Sequence, residues 1–181
     1  MRKIVAISGE PGTGKTTLMR KFIDQYFWEK REDIKLVNSL YSEELDLHII
    51  GKYEEGEIFA GTDKLSMAVQ PSVVEFINGT NSNILFEGDR LTNFKFFDYL
   101  MNLSKELNEV NLLILTVPQT VMEERYKVRG SDQSETFLKG RKTKISNIRS
   151  NFEYMDYITV FENKDENDQN KILEKLNSIF K

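Results

Sequence analysis

The sequence predicts a three-layer α/β fold: a central, mostly parallel sheet with helices on both faces and a small mobile lid. Three observations lead there. Short apolar runs rich in β-branched residues alternate with longer stretches of helical periodicity, as in βαβ units. The first such run, KIVAIS at residues 3–8, ends in a glycine-rich turn that opens a helix. The 181 residues, 39% hydrophobic and 30% charged, suit one domain with a single sizeable core, spanning 1–181.

The elements follow in order. KIVAIS is a buried strand. From Thr16 a helix places Leu18, Met19, Phe22, Ile23, Tyr26 and Phe27 on one face. Residues 34–40 (IKLVNSL) and 45–53 (LDLHIIGKY) read as strands joined by the polar turn YSEE. Residues 54–70 have no period and are expected to be functional or loop-like. Pro71 and Gly79 bracket a helix. NILFEGD (83–89) is a strand ending in acids, and 93–109 form an amphipathic helix. NLLILTV (111–117) is another buried strand, with a helix from Pro118 to about Gly130. Residues 131–144 read as a polar connection leading into a helix near 145–155. The strand YITVF (157–161) and an amphipathic helix (168–180) complete the chain.

Composition excludes several functions. No apolar run approaches the ~20 residues that span a bilayer, and the start lacks the pattern of a signal peptide. A cytoplasmic protein is expected, in the host cytoplasm if phage-encoded. Without cysteine there are no disulfides and no thiolate metal sites. The net charge of −4 argues against a surface coated in nucleic acid. The stretch 139–149 (KGRKTKISNIR) is nevertheless basic and free of acids, so a local basic groove is compatible. His48 sits in an apolar strand pattern and Trp28 closes the first helix; both read as packing residues.

Gly9, Gly14, Lys15 and Thr16 satisfy G-x-x-x-x-G-K-[ST], the Walker A pattern, between a strand and a helix. Gly9, Gly12 and Gly14 let successive N–H groups turn toward one anion. The helix N-terminus adds its dipole there. The expected nucleotide-binding set is Gly9, Glu10, Pro11, Gly12, Thr13, Gly14, Lys15, Thr16 and Thr17. Lys15 would reach the β- and γ-phosphates, and Thr16 would offer its hydroxyl to Mg²⁺. The expected cofactors are ATP and Mg²⁺. In open α/β sheets ligands sit at the carboxyl ends of strands, so chemistry is also expected at the ends of NILFEGD (83–89) and NLLILTV (111–117).

P-loop proteins include GTPases, ATPases and kinases. A guanine-reading N-K-x-D is not completed: Asn163, Lys164 and Asp165 are followed by Glu166, so this stretch reads as a polar turn. At 117–129, by contrast, a strand ending in Val117-Pro118 leads to a helix carrying Arg125 and Arg129, four apart on one face. This resembles the adenylate-kinase-type nucleoside monophosphate kinases. The resemblance implies that Arg125 stacks on the ATP base and Arg129 contacts the transferring phosphates. The lid would be 130–144, with Gly130 and Gly140 as hinges and Arg141 as the cation delivered on closure, beside Lys142 and Lys144.

Glu87, Asp89 and Arg90 follow the strand NILF. Asp89-Arg90 is similar to the acid–arginine pair that ends the corresponding strand in deoxynucleoside kinases. By that likeness the acid takes the proton of an attacking hydroxyl and Arg90 binds substrate or phosphate. Glu87 is the alternative base, or a Mg²⁺ ligand through water. Residues 52–80 are expected to form the acceptor-binding insert, with Thr62, Asp63, Lys64, Ser66 and Gln70 as candidate contacts. GTDKLSMAVQP (61–71) together with LFEGDRL (85–91) resembles phage P-loop kinases that act on 5-hydroxymethyluracil within DNA. A kinase for free deoxynucleoside monophosphates or nucleosides is the alternative enzyme. From another class, the alternative is a nucleotide-binding regulator or slow ATPase without an acceptor.

Overall fold

The computed structural model describes all residues except Ile58, Leu107, Ser131, Asp132 and the side chain of Arg129. The expected insert and lid therefore each include residues outside the described set.

Among the described residues, seven strands form one sheet in the order β2-β3-β4-β5-β1-β6-β7. The strands are β1 (Arg2–Gly9), β2 (Glu29–Ile34), β3 (Val37–Ser42), β4 (Leu47–Ile50), β5 (Asn83–Glu87), β6 (Asn108–Thr116) and β7 (Ile158–Glu162). The helices are α1 (Lys15–Ile23), α2 (Gln70–Gly79), α3 (Phe94–Ser104), α4 (Gln119–Arg129), α5 (Glu135–Arg149) and α6 (Glu166–Phe180). Strands β4, β5, β1, β6 and β7 run parallel, while β2 and β3 extend one edge antiparallel. The three-layer α/β expectation stands.

Register places the site. Ile7 of β1 aligns with Glu87 of β5, and Gly9 aligns with Leu115 of β6. The phosphate loop, the acids after β5 and the end of β6 thus share one rim of the sheet. Period-two alternation divides the core between the faces. Ile4, Ala6, Phe86, Leu112 and Ile114 pack with Val73, Phe76, Phe96, Phe97 and Ile148 on one side. Val5, Ile7, Leu85, Leu113 and Leu115 pack with Leu18, Met19, Phe22, Ile172 and Leu176 on the other. His48 is buried in the sheet, with Nδ1 3.1 Å from the Ser39 hydroxyl, and Trp28 packs on Phe22 and Tyr26.

The first helix ends at Ile23, which leaves Phe27 exposed, and the helix expected over 93–109 ends at Ser104, with Asn108 and Glu109 in β6. Two further expectations need correction. The run 34–40 is not one strand: β2 and β3 meet at a turn where Leu36 has φ 76°. The new strand β2, EKREDI, is charged because it is an edge, where charge discourages pairing with another chain. The second correction concerns 131–144. Ser134 caps α5 by accepting from the Phe137 N–H, and the helix runs unbroken to Arg149. Gly140 lies inside that helix and is no hinge. Only Ile145 and Ile148 of α5 are buried, so its apolar stripe is too thin to read as a helix.

Candidate active site

β1 delivers the chain into the phosphate loop, and Gly14 at φ 85° turns it into α1. A side chain at Gly14 would also collide, since its Cβ would lie 2.5 Å from Asn163 Nδ2. Lys15 Nζ donates to the carbonyls of Gly9 (2.9 Å) and Glu10 (3.0 Å), so the ammonium lies back over the loop. Thr13 Oγ1 donates to the Glu10 carbonyl at 2.8 Å.

The back of the loop is braced by residues the sequence reading assigned elsewhere. Asn163, at the end of β7, is buried; its Nδ2 donates to the Thr13 carbonyl at 2.8 Å. Arg125 donates to the carbonyls of Gly12 (3.0 Å), Asn163 (2.8 Å) and Lys164 (3.1 Å). Tyr126 donates its hydroxyl hydrogen to the Pro11 carbonyl at 2.8 Å. The polar turn at 163–166 is thus joined to the phosphate loop, with Arg125 between them. Arg125 also lines a second cavity, with Gly12, Gly14 and Glu166, on that side of the loop.

The acids at the end of β5 have different surroundings. Glu87 is buried and accepts from the Thr16 hydroxyl at 2.9 Å. Burial raises its carboxyl to about 7, against the opposing effects of Lys15 and the Thr16 hydrogen bond. Asp89, about one-third exposed, is held by two cations of α5: it pairs with Arg141 and, at 2.6 Å, with Lys144. Lys144 also donates to the Thr92 carbonyl at 2.8 Å. Asp63 braces this corner, its Oδ1 accepting from the N–H groups of Asp89 (2.8 Å) and Arg90 (3.0 Å). Arg90 donates to the Asp63 carbonyl at 3.1 Å.

A cavity of about 480 Å³ joins these parts, with Lys15, Thr16, Glu87, Asp89, Arg90 and Arg141 on its wall. Asp63 also lines it. Lys64 and Gln70 do not: Lys64 pairs with Glu57 at 2.8 Å, and Gln70 accepts from Asn93 Nδ2 at 2.9 Å, tying α2 to the cap of α3. Arg129 ends α4, and its side chain lies outside the described residues. Sequence reasoning missed Asn163, Arg20, Phe59 and Phe137. Arg20 joins α1 to the 54–57 loop by donating to the Glu54 and Glu57 carbonyls, both at 2.9 Å. An i,i+3 or i,i+4 periodicity carries no sign of any of these contacts.

The residues fit a magnesium ion. Thr16 and Glu87 supply a hydroxyl and a carboxylate, hard oxygen donors already in contact. No cluster of three His, Cys, Asp or Glu side chains that could hold a metal occurs among the described residues. A bound ion would therefore complete its shell from phosphate and water.

The raised Glu87 carboxyl sets a pH dependence. Its folded value of about 7 lies above the ordinary 4.5, so the folded state holds the proton more tightly. The stabilisation is complete below pH 4.5 and is lost as pH rises through about 7. At about 1.4 kcal/mol per pH unit this amounts to roughly 3 kcal/mol. Denaturant unfolding of the nucleotide-free protein across that window should show the slope. Glu87→Gln should flatten it; an unchanged slope would assign it to other groups.

No helix among the described residues is long and apolar enough to cross a membrane. No curated protein matches the sequence. Among solved structures, a sugar kinase from Janibacter sp. HTCC2649 is 18% identical, with a TM-score of 0.52 over 98% of this chain and 93% of that one. A gluconokinase from Sinorhizobium meliloti 1021 is 13% identical, with a TM-score of 0.51 over 99% of each chain. A deoxyadenosine kinase from M. mycoides, with bound dATP, is 15% identical, with a TM-score of 0.50 over 96% of this chain and 99% of that one. At such identities the likeness is one of fold. The sequence itself carries the closer assignment: the model of the family described as P-loop Nucleotide Kinase3 matches residues 1–161, a span that runs from β1 through the whole 480 Å³ cavity. The chain belongs to that family of P-loop nucleotide kinases.

Proposed function

We propose that the protein transfers the γ-phosphoryl group of ATP to a hydroxyl of a nucleotide-type acceptor, most specifically the hydroxymethyl group of 5-hydroxymethyluracil in phage DNA. The observation that carries this reading is the separation of the two acids. Both acids line the cavity, but Glu87 is buried against Thr16 on the metal side, while Asp89 is about one-third exposed to it. Asp89 is thereby the better placed base, and Glu87 the metal-side group. A carboxylate base serves an alcohol acceptor, which must lose a proton to become a nucleophile.

In this reading the amides of residues 9–17 and the Lys15 ammonium hold the triphosphate. Magnesium, when bound, neutralises charge on the β- and γ-phosphates. The acceptor oxygen attacks the γ-phosphorus, and its proton passes to Asp89. The bond from that phosphorus to the bridging oxygen breaks, and ADP leaves with the electron pair. Arg141 parts from Asp89 to meet the transferring phosphoryl group, with Arg129 as its expected partner. Arg125, beside Gly12, is the proposed platform for the ATP base.

The specific acceptor is supported by the union of two stretches. Asp63 in 61–71 holds the backbone of Asp89 and Arg90 in 85–91, so the segments that carry the phage-kinase resemblance form one unit. One observation favours the runner-up, a free deoxynucleoside monophosphate. The Nε atoms of Arg90 and Arg141 are buried without a hydrogen-bond partner among the described residues, and both side chains line the cavity. Such donors suit an anionic acceptor.

A labelling panel decides. Radiolabel from [γ-³²P]ATP is expected in DNA containing 5-hydroxymethyluracil, and not in the same DNA containing thymine. Label confined to free nucleotides would replace the acceptor. Phosphate release unaffected by any acceptor would replace the kinase with an ATPase.

A further inference from the structure

The proposed acceptor leaves open how a base within DNA reaches the proton-abstracting carboxylate, and the cavity's shape constrains the route. In B-form DNA a 5-substituent on a pyrimidine lies on the floor of the major groove, about 8.5 Å deep. An element that touches it there must project from the protein surface. Asp89 does the opposite. Its carboxylate lies in a concave wall, paired with Arg141 and Lys144 of α5. A concave site receives a group that protrudes from its carrier.

The same cavity carries two aromatic rings, the only ones on its wall among the described residues. Phe59 comes from the 54–61 loop and is 53% exposed; Phe137 comes from the first turn of α5 and is 38% exposed. Phe86, Phe96 and Phe97, by contrast, are fully buried. Apolar rings left partly exposed beside the cavity forgo burial that would otherwise stabilise the fold. The Arg141 guanidinium lies 4.5 Å from the Phe137 ring centroid, so that ring and Asp89 are linked through one side chain.

We infer that Phe59 and Phe137 receive the acceptor as an extrahelical base, stacked on the rings with its hydroxymethyl group directed at Asp89. This rests on the reading of the protein as a kinase for that base in DNA. Base–aromatic stacking tolerates any base, because every base has a π-face. It compensates part of the cost of unstacking and unpairing the target.

The test uses full-length protein and one oligonucleotide with a single 5-hydroxymethyluracil, presented single-stranded, in a matched duplex and opposite an abasic site. Transfer efficiency should be about tenfold or more higher on the single-stranded and abasic forms than on the matched duplex. A 2-aminopurine placed beside the target should brighten when the protein binds the matched duplex. Phe59→Ala and Phe137→Ala should each raise the acceptor KM about tenfold, with the ATP KM within twofold of wild type; Phe59→Tyr and Phe137→Tyr should restore it. A matched duplex used as well as the single strand with unchanged 2-aminopurine fluorescence would overturn the inference. So would alanine variants with a wild-type acceptor KM. In either case transfer to DNA would still stand. Transfer only to free nucleotides, to a sugar, or to nothing would instead remove the proposed acceptor, and this inference with it.

Discussion

Lys15→Ala should lower kcat/KM for phosphoryl transfer by about a thousandfold or more, with little change in thermal stability. Removing a single neutral donor from a preorganised anion site already costs about a hundredfold to a thousandfold. Lys15 carries a full charge and stands at the mouth of the loop. In the present conformation its ammonium is held by the Gly9 and Glu10 carbonyls, so the loop stores the cation where a phosphate would meet it. Alanine is the best helix former, and position 15 opens α1, so the substitution spares the fold. Initial rates with labelled ATP, beside a melting curve, separate the two effects. A variant with wild-type turnover would refute the phosphate assignment.

Asp89→Asn should reduce kcat by about a hundredfold to ten-thousandfold while ATP affinity stays within a few-fold. The amide keeps the shape and loses the capacity to take a proton. It also weakens the links to Arg141 and Lys144, which are partly exposed pairs worth about 0–1 kcal/mol each. The melting temperature should therefore fall only slightly. Turnover measured at saturating ATP, with nucleotide binding measured apart from it, gives the decisive comparison. If ATP–Mg²⁺ binding fell in step with kcat, Asp89 would belong to the metal, and Glu87 would become the base.

The parts legible in the sequence share a physical cause. The central strands are buried on both faces, so they read as continuous apolar runs, and the phosphate loop is a local motif of fixed spacing. Elements at the periphery escaped because their residues answer to solvent. β2 is written in charges, and α5 buries only two isoleucines. The site was legible where the chain itself brings residues together, as at 9–17 and 87–90. It was illegible where the fold does so. Asn163 reaches Thr13 across 150 positions, and Arg141 and Lys144 meet Asp89 across more than fifty. Lys64 and Gln70 show the converse, since residues in the expected insert turned to structural contacts.

The spacing of Glu87 and Asp89 has a mechanical consequence. Both acids leave the same strand within three positions, and Asp63 clamps the peptide between them and Arg90. Their backbone spacing is thus set at the end of one strand, while the Asp89 carboxylate is tied to α5 through Arg141 and Lys144. In the proposed reaction this short backbone ruler would set the offset between the metal-side acid and the base. Lengthening the ruler by one residue after Gly88 would leave both ends loaded and the distance wrong.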